Sequence, residues 1–132
     1  MNLNTMLQTV NVVDGFSWDC INNTVPTTGY AVSAFKGRER IFDNAPSALE
    51  IASFILDNAD VLFKTDYVFG ARTKVVGCWQ YNGQWYLDVS LIYDNRQIAL
   101  QTGILNDQIA IWDIENCQEI LCNTVQFSTF AD

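Results

Sequence analysis

The sequence predicts an α+β fold: an antiparallel sheet entered in the order β-α-β-β-α-β, with two helices on one face. Three observations carry this. Asn82-Gly83 sits between two aromatic and β-branched runs, the signature of a two-residue hairpin whose turn positions both need positive φ. Residues 46–63 place Ala48, Ile51, Ala52, Ile55, Ala59 and Leu62 on one helical face. A second capped helical stretch after Asp94 leads into another apolar run at 108–114.

In chain order, residues 1–13 read as an amphipathic arm, because Leu3, Met6, Leu7 and Val10 fall at helical spacing. So short a helix is marginal alone and must dock on something. Residues 14–28 read as a short hairpin or extended loop, turned by Asn22-Asn23 and closed by Pro26 and Gly29. Residues 29–36 form the first main strand, and Lys36-Gly37-Arg38-Glu39-Arg40 an exposed basic loop. The first helix starts at Ser47, with Glu50 at capping-box spacing, or at Asp43 or Asn44 with Pro46 in the first turn. A loop over 64–73 carries Gly70 and leads into the hairpin 74–91. In its second strand Trp85, Leu87, Val89 and Leu91 alternate with Tyr86, Asp88 and Ser90. One face is apolar and the other mixed, as in a sheet covered on one side.

Asp94 is the expected cap of the second helix, with Gln97 at its third position and Gly103 weakening its end. Asn106-Asp107 turns the chain into a strand over 108–114, which 119–122 extends or pairs. The tail 123–132 holds Val125, Phe127 and Phe130. The whole divides into an arm (1–13), one domain (14–122) and a tail (123–132). The order of the central elements suits a ferredoxin-like sheet or a similar one.

The chain has 132 residues with 49% apolar and 13% aromatic side chains, enough for a core without a metal or disulfide. Its formal charge is −8. After Lys74 the only basic residue is Arg96, against seven acids. Such a surface repels phosphate, so no direct contact with nucleic acid or an anionic membrane is expected. No stretch approaches the ~20 apolar residues of a membrane helix, and residues 1–13 lack the pattern of a secretory signal. Without a secretion route, Asn22-Asn23-Thr24 is a chance match to a glycosylation acceptor. Cys20, Cys78, Cys117 and Cys122 form no C-x-x-C pair and there is no histidine. Free thiols, mostly buried, and no metal or cofactor are the expectation.

Gly15-Phe16, Val25-Pro26-Thr27-Thr28-Gly29-Tyr30-Ala31-Val32-Ser33, Gly77-Cys78-Trp79, Trp85-Tyr86-Leu87-Asp88-Val89-Ser90, the helix opening at Asp94 and Asn106-Asp107-Gln108-Ile109-Ala110-Ile111-Trp112-Asp113 together form a pattern. It resembles a small uncharacterised domain of tailed-phage and mobile-element proteins, from Gly15 to Ile120. Where that domain carries Gly-Gly-Trp, this chain has Cys78 between Gly77 and Trp79, and of the basic residues following Asp94 only Arg96 remains. The resemblance implies a phage origin and brings no activity with it.

The absence of histidine removes the commonest general base and the Ser-His and Cys-His pairs. No P-loop, G-x-S-x-G or G-x-G-x-x-G stretch is present. Tyr86, Asp88 and Ser90 share one strand face by parity. A carboxylate beside a phenol can serve as acid and base, or Asp88 can simply bond a neighbouring strand. Asp113 and Glu115 offer further carboxylates near the last strand. The expected function is therefore non-enzymatic: binding of a host or defence protein through Tyr86, Asp88, Ser90 and Trp112 on an open sheet face. The alternatives are a virion or assembly component, a homo-oligomer laced through 1–13 and 123–132, and a small carboxylate enzyme. The expected location is the host cytoplasm or the virion.

Overall fold

The computed structural model describes residues 15–35, 37–64 and 70–122. The arms 1–13 and 123–132, Lys36 and the loop section 65–69 lie outside the described residues. The strands are β1 (Phe16–Trp18), β2 (Tyr30–Ser33), β3 (Arg40–Phe42), β4 (Thr73–Tyr81), β5 (Gln84–Tyr93), β6 (Ala110–Asp113) and β7 (Gln118–Leu121). The helices are α1 (Ala48–Asp57), α2 (Ala59–Leu62) and α3 (Arg96–Leu105).

The fold is α+β, with one seven-stranded sheet in the order β1-β4-β5-β2-β6-β7, while β3 pairs with β5. Every pairing is antiparallel. The chain thus runs β1-β2-β3-α1-α2-β4-β5-α3-β6-β7, ten elements where the sequence predicts a central order of six. Two of the further strands come from a segment read as a short hairpin or extended loop and from one read as a basic loop. Residues 14–28 supply β1 on the outer side of β4, and Arg40, read as part of a basic loop, opens β3.

β4 and β5 form the spine. Asn82 and Gly83 have φ of 51° and 78°, as a two-residue type I′ turn requires. The register Trp79↔Tyr86, Gly77↔Asp88 and Val75↔Ser90 follows from it. The other edge of β5 is shared by β3 at Trp85–Leu87 and β2 at Ser90–Tyr93.

Both main helices pack on the same sheet face. Ile51, Phe54 and Ile55 of α1 and Leu62 of α2 meet Trp18, Val76, Cys78, Leu87 and Val89. Ala99 and Leu100 of α3 meet Val32, Leu91, Tyr93 and Ile111. Each fully buried Leu, Ile, Val or Phe contributes roughly 1.5–3 kcal/mol, so these contacts fix which side of each strand faces inward. Ser47 caps α1 reciprocally with Glu50. The single helix expected over 46–63 breaks at Asn58, whose side-chain amide bonds the Phe54 carbonyl at 2.9 Å. Asn95, rather than Asp94, caps α3 through the Ile98 N–H, because Asp94 is bonded to Arg72. Gly103 is a close-approach site: a Cβ there would lie 2.9 Å from Cys122 Sγ and 3.0 Å from Ile111. Its lack of a side chain lets α3 settle on β6.

Candidate functional site

The second sheet face carries the parity partners of the core: Trp79 and Tyr81 of β4, Tyr86, Asp88 and Ser90 of β5, Ile41 of β3 and Trp112 of β6. Tyr86, Asp88, Ser90 and Trp112 thus share one face. They do not make one patch. Trp112 pairs with Ala31, which pairs with Ile92, and the span from Tyr86 to Ile92 along β5 is roughly 20 Å. Between these ends the face is withdrawn from solvent, with Val75 and Ile92 both 0% exposed.

Asp88 and Ser90 belong to that withdrawn strip, at 2% and 4% exposure. They offer no side-chain surface to a partner, which corrects the open contact face expected for them. Alternation along a strand reveals the face a residue takes but not whether that face is covered. Tyr86 is half-buried, and Trp112 is 42% exposed on β6, one strand in from the β7 edge.

Asp88 is instead the hub of an internal network. Ser90 Oγ donates to Oδ1 at 2.7 Å, and Trp79 Nε1 donates to Oδ2 at 2.6 Å. The carboxylate lies over Gly77, where a Cβ would sit 2.5 Å from Oδ1, so only glycine leaves room. Burial pushes the Asp88 carboxyl up to about 6, against the pull of the Ser90 and Trp79 hydrogen bonds, and the Glu39 charge adds to the rise. A carboxyl raised this far is a recognised mark of functional sites. Here both oxygens are engaged by the protein's own donors, and among the described residues no buried side-chain nitrogen or oxygen lacks a partner. Tyr86, the phenol that the enzyme alternative pairs with Asp88, stacks on Trp79, with ring centroids 4.4 Å apart and planes 16° from parallel.

The Trp79–Tyr86 stack is partly exposed, with Tyr81 tilted beside Trp79 at 6.4 Å. Ile41 lies directly across from Tyr86 and is 51% exposed. Sequence reasoning passed over Ile41 because it sits next to Arg38 and Arg40. The signal available was the β-branched and aromatic pair Ile41-Phe42 directly after the segment read as a basic loop. Arg38 and Arg40 turn toward the helices: Arg38 bonds Asp60 at 2.8 Å, and Arg40 pairs with Asp57 and lies over the Phe54 ring.

Of the carboxylates expected near the last strand, Asp113 serves local structure, as does Asp19 elsewhere in the fold. Asp113 accepts from the backbone and side-chain amides of Asn116, and Asp19 holds the 19–22 turn and Thr73. No group of three or more metal-ligating side chains occurs among the described residues. All four cysteines are free, with Cys117 exposed and the others buried. Among the described residues no helix is long and apolar enough to cross a membrane. Comparison with protein-family models, curated proteins and solved structures finds no match for this chain.

Proposed function

We propose that this chain is a protein-binding module that works by contact rather than by catalysis, through the end of the sheet formed by Trp79, Tyr86 and Ile41. The observation that carries this reading is the stacked, half-exposed Trp79–Tyr86 pair, fixed from beneath by the buried Asp88 carboxylate. Rings held in one orientation lose little entropy when a partner covers them, and aromatic anchors dominate binding energy at protein interfaces. The half-exposed stack beside an exposed Ile41 supplies such an anchor. The −8 charge favours a protein over a nucleic acid as partner. The resemblance to a phage domain makes a host or defence protein the proposed target. The strands β4-β5-β2-β6, taken alone, support a ferredoxin-like core to which β1, β3 and β7 are added.

A carboxylate enzyme remains the competing reading, because a raised Asp88 is what acid-base chemistry would need. Its burial and full set of internal partners favour a supporting role. The test is recovery of partners from host lysate by the wild-type chain and by Tyr86→Ala/Ile41→Ser. The double variant leaves Asp88 in place, so it probes the surface without opening the network. Partners recovered by the wild type and lost with the variant are the expected result. Equal recovery by both removes this surface from the function.

A further inference from the structure

Resting on the reading that this end of the sheet is a contact surface, we infer that its occupant is an extended basic peptide segment of the form basic–x–apolar–x–basic. The central apolar row is Trp79, Tyr86 and Ile41, adjacent across three strands. Glu39 and Asp43 lie two residues to either side of Ile41 and are both exposed. In an extended chain, residues at that spacing share a face with it. Each is tied to this face by its neighbours: Gln84 Nε2 reaches Asp43 Oδ1 at 3.5 Å, and the charge of Glu39 is felt at Asp88.

The described cations nearby do not neutralise these two carboxylates. Arg38 and Arg40 are bonded to Asp60 and Asp57 on the helix side. Neither Glu39 nor Asp43 forms an ion pair among the described residues. Among the described residues the surface is therefore an aromatic and aliphatic strip between two negative charges that no ion pair offsets.

Its complement is an apolar side chain set between two cations. Glu39 and Asp43 flank the two ends of β3, four positions apart, a spacing of roughly 13 Å where a chain is extended, which matches Lys or Arg at positions i and i+4 of an extended partner. The apolar side chain at i+2 meets Ile41 and Tyr86, and a cation passing over the indole gains a further attraction. The same charges repel phosphate and acidic peptides.

The experiment titrates the full chain with the peptide Lys-Thr-Leu-Thr-Lys-Thr-Leu-Thr-Lys, its twin with Gln for each Lys, and its twin with Glu for each Lys. The Trp79 indole N–H signal is followed by NMR. The basic peptide is expected to move that signal, the Gln twin to bind about tenfold more weakly and the Glu twin not to bind. Glu39→Gln/Asp43→Asn is expected to weaken the basic peptide about tenfold. The distant exposed pair Glu115→Gln/Glu119→Gln is expected to change nothing, which separates this site from general attraction to an acidic protein. Equal binding of basic and Gln peptides, or equal weakening by both charge pairs, overturns the inference. If the peptides bind alike and Tyr86→Ala abolishes all binding, the contact surface stands and its basic specificity falls. If no peptide moves the Trp79 signal, the basic-segment inference falls, and the lysate comparison judges the contact surface independently.

Discussion

Asp88→Asn separates what the buried carboxylate costs from what it holds. An unfolded Asp titrates near 3.8, whereas Asp88 in the folded chain is pushed up to about 6. Between those values the folded chain keeps a proton that the unfolded chain releases. Stability from this group is therefore greatest at low pH, falls as pH rises through the window, and its penalty is complete above about 6. At ~1.4 kcal/mol for each tenfold change in proton affinity, the gap amounts to about 3 kcal/mol. Asn carries no charge and can keep both contacts, its Oδ1 accepting from Trp79 and its Nδ2 donating to the Ser90 hydroxyl oxygen. The variant should match the wild type at about pH 4 and exceed it by up to about 3 kcal/mol at about pH 8. Urea unfolding of both proteins across that range, at fixed ionic strength, measures the difference. Subtraction cancels the other carboxylates that titrate alike in both. A difference that stays flat with pH, or an Asn variant less stable at about pH 8, would refute the argument.

Three further outcomes follow from the same geometry. Gly77→Ala places a Cβ 2.5 Å from Asp88 Oδ1 and should cost about 1–3 kcal/mol by urea unfolding. Trp79→Phe removes the donor to Oδ2. It should cost about 1–3 kcal/mol at about pH 8 and less at about pH 4, where the carboxyl is protonated. Native-state alkylation should label Cys117 alone. Burial pushes the thiols of Cys20 and Cys78 up to about 11 and about 12 and raises that of Cys122 as well, and mass spectrometry of the labelled chain reads the result.

What the sequence revealed follows the range of each signal. The Asn82-Gly83 turn is a local steric demand, so the hairpin and its register were legible. The Ser47–Glu50 cap and the apolar faces of α1 and β5 were legible for the same reason. β1 and β3 span three residues each, too few for alternation to stand out. Their existence depends on β4 and β5 offering edges far away in the chain. The break at Asn58 is likewise a side-chain bond to the preceding turn, set within an otherwise continuous helical pattern. Gly103 read as a weakness of α3, because the close approach of Cys122 and Ile111 that it permits is a tertiary fact.

The site divides along the same line. Strand parity placed Tyr86, Asp88 and Ser90 on one face, and the strand pairings add Trp112 to it. Parity carries no information about what lies over that face, and this decides the role of each residue. Once Asp88 is 2% exposed, its charge is a cost of folding. A valine at that position would fill a strand interior without the desolvation penalty. It could not accept a hydrogen bond from the Trp79 indole, which lies across the hairpin with Tyr86 stacked upon it. Gly77 has the same logic, since a larger residue would fit the strand but displace the carboxylate. The buried acid and the missing side chain beneath it are thus expensive or weak choices for a sheet, and what they jointly secure is the orientation of two aromatic rings at the surface. That connection from Gly77 through Asp88 to Trp79 and Tyr86 is the physical reason for assigning function to the rings and support to the carboxylate.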